Sequence, residues 1–163
     1  MYFLSCFPIC IDTATACSWQ VPAFFLTASY PTGYIRTSSE EYKLEGSDKS
    51  VHLTNNAVQK HEKNYGKYEE GNQLDFEAFQ TYLAETYPEL KIDFYKHLYP
   101  RMRELVLYSA LSVRKLINPS DRKRCFELFG YDFMIDEDFR ITLIEVNTNP
   151  CLALSSSILK YAL

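Results

Sequence analysis

Two β-rich runs, Cys125–Ile135 (CFELFGYDFMI) and Arg140–Asn147 (RITLIEVN), flank the short acidic stretch Asp136-Glu137-Asp138. Runs so close in sequence, joined by a few polar turn residues, pair antiparallel as a hairpin. A hairpin constrains the fold because it fixes which side chains meet. With the turn centred on Asp138 and Phe139, Asp132 stands directly opposite Glu145. Side chains alternate along a strand, so Asn147 projects from the same face as Glu145. Phe133, Ile135, Ile144 and Val146 are then expected to share the other face, against a core. The Asp136-Glu137-Asp138 run itself reads as a solvated turn.

Two carboxylates facing each other on paired strands repel and destabilise the pair. Either the far end of the hairpin is exposed and the acids are solvated, or a cation offsets the repulsion. Hard oxygen donors suit magnesium, which keeps open positions for water and phosphate oxygens. That second reading points to nucleotide chemistry. Spacing alone leaves both readings open, and a one-residue slip of register would separate the acids.

The rest of the chain reads as α+β, with an antiparallel sheet and packed helices. The pattern Met102, Leu105, Val106, Ser109, Ala110, Val113, Leu116, Ile117 predicts a helix over 101–117, with one face in the core. Pro100 suits its first turn and Asn118-Pro119 stops it. Leu74, Phe76, Phe79 and Leu83 predict a second helix over 74–83, capped by Asn72. A short helical stretch is expected after His52-Leu53-Thr54-Asn55-Asn56, ending near Lys60. Residues 64–72 (NYGKYEEGN) are a loop, and a last helix is expected over Ser155–Leu163.

The charge is unevenly placed: among Lys, Arg, Asp and Glu, only Asp12 precedes Arg36. The domain boundary is therefore drawn at 35/36, with an atypical low-charge segment 1–35 before the charged part 36–163. A signal peptide needs a basic start and an unbroken apolar run, and Pro8 interrupts a segment that lacks Lys and Arg. A membrane span needs about 20 continuous apolar residues, which Pro8, Asp12–Thr15 and Pro22 prevent. The expected structure there is a strand pair, 21–30 and 34–37, joined by the turn Pro31-Thr32-Gly33. The net charge of −4 argues against a nucleic-acid binder working by phosphate neutralisation. Five cysteines with no CxxC pair imply neither a disulfide framework nor a zinc site, so a reducing, cytoplasmic setting is the default.

The segments CFELFGYDFMID and LIEVNTNP together resemble the magnesium-binding end of the tubulin-tyrosine-ligase-like proteins, which have the ATP-grasp fold. The resemblance extends upstream through YIRTSSEEY (34–42), VHLTNNAVQK (51–60) and YGKYEEGN (65–72), and covers roughly residues 30–163. It implies a partial ATP-grasp fold, the C-terminal lobe of the catalytic domain. The implied chemistry is an ATP-dependent ligation. An acceptor carboxylate on a tubulin tail attacks the γ-phosphate, and the amine of a free amino acid displaces the resulting acylphosphate. Glutamate is the first expectation for that amino acid, then glycine, then tyrosine.

On this resemblance Asp132, Glu145 and Asn147 match the magnesium ligands. Thr54 and Asn55 match residues near the ATP. His52 adjoins them, either as a nucleotide contact or as a structural histidine. Arg36 matches the arginine that holds the incoming amino acid or the acylphosphate, a role its planar fork suits. Lys160 falls near a lysine the family uses for the amino-acid substrate, in a loose register. Arg114, Lys115, Arg122, Lys123 and Arg124 form either a landing strip for an acidic tail or a solvated helix end. The implied location is cytoplasmic, at microtubules or cilia, with no nucleic-acid or membrane partner.

The resemblance has gaps. The family's preceding lobe carries lysines that clamp the α- and β-phosphates, and none stands here. Its Lys-Phe/Tyr-Asp-Ile-Arg strand is replaced by Ile11–Cys17, where only Asp12 fits. The chain is thus expected to be part of a larger catalytic unit and to bind ATP weakly by itself. Two further readings are a non-catalytic fragment or pseudo-enzyme that binds tubulin or a partner, and another magnesium-dependent phosphoryl-transfer enzyme.

Overall fold

The computed structural model describes residues 33–40, 48–120, 122, 127 and 129–148, together with the backbone of three strands nearer the N-terminus. Those strands are β1 (Phe7–Ile11), β2 (Thr15–Ser18) and β3 (Leu26–Ser29). β4 (Tyr34–Arg36) follows, then the one-turn helices α1 (Lys49–His52) and α2 (Asn56–Gln59). The chain continues with β5 (Gln73–Asp75), α3 (Phe76–Thr86), a π-type turn at Phe94–Leu98 and α4 (Tyr99–Ile117). The hairpin β6 (Gly130–Ile135) and β7 (Ile141–Asn147) closes the described region. The helix expected over Ser155–Leu163 lies outside it, as does Lys160.

The class is α+β with small antiparallel sheets. β1, β6 and β7 form one sheet in that order, β2 pairs with β3, and β4 pairs with β5. The expected pairing of 21–30 with 34–37 does not form: Leu26 bonds opposite Ser18, whereas Tyr34 stands opposite Asp75. The turn signal at Pro31-Thr32-Gly33 is local, and the ladder partner of β4 comes from some 40 residues downstream.

The cap of α3 lies three residues later than expected. Asp75, not Asn72, caps the helix, its Oδ1 accepting the Ala78 N–H at 2.6 Å. Gln73–Asp75 pairs with β4 instead of starting the helix. Phe76, Phe79 and Leu83, spaced by three and four, are buried. They meet Phe94, which packs edge-on against Phe79 with centroids 5.8 Å apart. α4 starts with Pro100 in its first turn and buries Met102, Val106 and Ala110. Beyond Ala110 its expected core stripe is not covered: Val113, Leu116 and Ile117 are exposed, Leu116 to 77%.

The hairpin holds Asp132 opposite Glu145 as expected, but by another route: next to the turn Ile135 pairs with Ile141, one residue off the expected register, and the register shifts between Asp132 and Phe133. Phe133 stands opposite Leu143, so Ile144 is one residue too many and forms a bulge. The core face therefore carries Phe133 and Ile135 with Leu143 and Ile141, while Ile144 and Val146 are exposed. This corrects the simple alternation, which had put Ile144 and Val146 inside. The turn is closed by Asp136, whose Oδ1 accepts the N–H groups of Asp138 and Arg140. Phe139 completes it in the left-handed region at φ 59°.

Candidate functional site

The bulge leaves Asp132, Glu145 and Asn147 on one face of the hairpin, away from the buried Tyr131 and Phe133. Asp132 and Asn147 are half-buried and Glu145 is exposed. The Asn147 Nδ2 group donates to Asp132 Oδ2 at 3.2 Å and reaches Glu145 Oε1 at 3.4 Å. The sequence reading of this trio thus becomes a geometric one: two carboxylates converge on one carboxamide. Turning the carboxamide over presents a third oxygen, Oδ1, to the same point. The donors are then all hard oxygens, two of them anionic, which fits a magnesium-sized divalent cation. Among the described residues no group of three or more His, Cys, Asp and Glu side chains comes together, which leaves this mixed carboxylate–amide set as the cation candidate.

The site rests on a rigid base. Phe133 and Ile135, next to Asp132 along β6, are 1% and 0% exposed. Tyr131 stacks on Phe133 with centroids 6.2 Å apart, and its hydroxyl lies 3.1 Å from Ser109 Oγ on α4.

Arg36 ends β4, half-buried. Its Nη2 donates to Tyr34 Oη at 2.6 Å, and its guanidinium carbon sits 4.9 Å from the Tyr34 ring centre. The buried tyrosine orients a cationic fork at the strand end. β4 lies beside β1, which is the immediate neighbour of β6, so one strand stands between the strand of Arg36 and the strand of Asp132.

His52, Thr54 and Asn55 occupy the link between α1 and α2. Thr54 is buried, whereas His52 and Asn55 are exposed. Asn55 caps α2: its Oδ1 accepts the Ala57 N–H at 2.9 Å. Asp48 caps α1 through the Ser50 N–H and hydroxyl, and these bonds lower its carboxyl below the usual range. Arg114 and Lys115 lie in the last turn of α4, and Lys123 and Arg124 are outside the described residues.

Two residues that the sequence does not mark for this role, Asn72 being read there as a helix cap, hold these segments together. Gln59, fully buried, accepts the Ser39 N–H at 2.7 Å and donates to the carbonyls of Ser50 and Leu53 at 2.7 and 2.5 Å. Asn72 donates to Ser39 Oγ at 2.7 Å and Thr37 O at 3.3 Å, and accepts from the Gly66 N–H at 2.8 Å. No periodic pattern marks either residue. The one local clue is the Gly71-Asn72 pair, whose left-handed backbone suits these two residue types.

The described elements thus make a mixed α+β fold with an acid-paired hairpin and an arginine-tipped strand. The model of the tubulin-tyrosine ligase family matches residues 29–161, and the chain belongs to that family. Over 126 residues it is 36% identical to tubulin glycylase 3B of Tetrahymena thermophila, covering 77% of this chain and 10% of that protein. It is 38% identical over 128 residues to the probable tubulin polyglutamylase TTLL9 of Rattus norvegicus, covering 78% and 26%. Tubulin monoglycylase TTLL3 of Homo sapiens is 32% identical over 133 residues, covering 79% and 17%. The chain thus spans between a tenth and about a quarter of the length of these relatives.

Proposed function

We propose that this chain supplies the cation-holding and substrate-orienting part of an ATP-dependent ligase that adds glutamate or glycine to a tubulin tail. Its relatives are named for both amino acids, glycine in the glycylases and glutamate in the polyglutamylase. The observation that carries the reading is the convergence of Asp132, Glu145 and Asn147 on one hairpin face. In this reading residues 36–163 are the C-terminal part of an ATP-grasp domain, acting in the cytoplasm at microtubules.

Asp132, Glu145 and Asn147 would hold magnesium, and the chemistry it would supply there is positive charge to offset the charge that develops in phosphoryl transfer. Asp132 and Glu145 supply the anionic oxygens and Asn147 the third. Arg36, held by Tyr34, offers a bidentate grip for a carboxylate, which both a free amino acid and an acidic tail possess. Thr54 and the exposed edge of Asn55 lie on the loop assigned to the nucleotide, beside His52. Catalysis of this kind depends on holding the reactants and their charges in place, so the chain's own work is orientation.

Titration calorimetry with ATP, with and without magnesium, tests the reading. The expected result is weak, magnesium-dependent binding that Asp132→Ala or Glu145→Ala reduces at least tenfold. Undetectable binding by the wild type, together with no effect of either substitution, would make the chain a non-catalytic member of its family. ATP hydrolysis that proceeds without any amino-acid acceptor would favour a different phosphoryl-transfer reaction.

A further inference from the structure

Gln59 and Asn72 are polar side chains with 0% and 4% exposure, 13 positions apart and in contact at 3.5 Å. Together they bond to the backbone of three segments that lack long regular structure. The first, Thr37 and Ser39, follows directly on Arg36. The second, Ser50 and Leu53, brackets His52 and precedes Thr54 and Asn55. The third, at Gly66, opens the loop that ends at Asn72 itself. Thr37 adds two bonds of its own across the same gap, to Asn72 O at 3.0 Å and to Glu69 Oε2 at 3.0 Å. Ser38 Oγ reaches the Ser50 carbonyl at 3.0 Å.

Filling space would not need such an arrangement, since an apolar side chain of equal volume packs without requiring partners for its polar atoms. A buried carboxamide that bonds at both ends fixes the distance and angle between the backbones it joins. We infer that Gln59 is a positioning residue: with Asn72 it clasps the Arg36 strand end to the Thr54–Asn55 loop, so that the carboxylate grip and the nucleotide loop move as one unit. This inference rests on the ligase reading above. It adds to that reading a residue that touches neither substrate yet governs affinity through the segments it ties.

The test uses the full chain as wild type, Gln59→Glu and Val106→Ala. Gln59→Glu keeps the length and the acceptor facing the Ser39 N–H but loses both donors toward Ser50 and Leu53. Val106→Ala weakens the core at α4, away from the clasp. Hydrogen exchange read by mass spectrometry follows peptides over 37–40 and 49–58, and calorimetry follows magnesium-ATP. The expected result is exchange at least tenfold faster in both peptides and magnesium-ATP binding at least tenfold weaker in Gln59→Glu. Val106→Ala should lower the melting temperature yet leave that affinity within twofold. If Gln59→Glu fails to fold, Gln59→Met removes the same donors without adding charge, and the same results are expected of it. Unchanged exchange in both peptides overturns the clasp. Faster exchange with unchanged ATP affinity overturns the positioning role and leaves the ligase reading intact. Absence of magnesium-ATP binding by the wild type instead sinks the ligase reading, and the positioning role with it, so the two failures appear in different samples.

Discussion

Asp132, Glu145 and Asn147 were legible from sequence as residues of one face, although the Ile144 bulge, which strand alternation does not show, is what sets Glu145 opposite Asp132. Gln59 and Asn72 were not, because what defines them is contact with residues up to 35 positions away. Local pattern says nothing about such partners. The same scale yields two pH predictions. Hydrogen bonds from the Ser50 hydroxyl and N–H lower the Asp48 carboxyl from its ordinary 3.8. A lowered folded value means the cap's contribution is present above pH 3.8 and is lost as pH falls through the folded value. The melting-temperature gap between wild type and Asp48→Asn should therefore be wider at pH 7 than at pH 3. Tyr82 behaves in the opposite sense. Burial, followed by the neighbouring Tyr87, pushes its hydroxyl from 10.0 to about 12. Among the described residues that buried oxygen finds no hydrogen-bond partner. Folding is thus unaffected by this group below pH 10 and loses stability as pH rises toward 12. Tyr82→Phe should leave neutral-pH stability unchanged or raised and should soften the alkaline loss in thermal melts.

At the scale of elements, periodicity located both α3 and α4, and α4 ends at Ile117 as expected. Only the start of α3 is displaced, because a tertiary partner claims the flanking residues. Gln73–Asp75 satisfies the ladder with β4 before the helix begins, which moves the cap from Asn72 to Asp75. Asp75→Ala should then cost about 1 kcal/mol, the usual worth of an N-cap, whereas Asn72→Ala should cost more. Asn72 bridges segments that would be left with unmet donors and acceptors, at about 1–3 kcal/mol for each buried group orphaned. Urea denaturation of the two variants, compared with wild type at constant slope, checks the order. In the hairpin the one element-level surprise, the Ile144 bulge, is also what separates the core face from the acid face. It lets Leu143 join Phe133 inside while Glu145 stays opposite Asp132.

At the scale of the whole molecule, the described residues form one core between the two longer helices and the sheet, and the candidate site sits on the sheet's other face. Ile35 of β4, Phe79 of α3, Met102 of α4 and Phe133 of β6 belong to the same buried cluster. The candidate site is therefore coupled to that core through one strand, in which Asp132 and Phe133 are neighbours with opposite facing. Two core truncations should separate stability from function. Phe79 and Phe133 are both 1% exposed, and replacing either with alanine should cost about 3–5 kcal/mol. Phe79 packs against Phe94 and Tyr82, remote in sequence from the acid-bearing hairpin. Phe133 instead anchors the point where the register shifts, so its loss frees the backbone that aims Asp132. Magnesium-ATP affinity, measured where each variant is still fully folded, should fall severalfold in Phe133→Ala and stay near wild type in Phe79→Ala. Equal affinity in the two variants would mean that the acid face keeps its geometry without support from the core behind it.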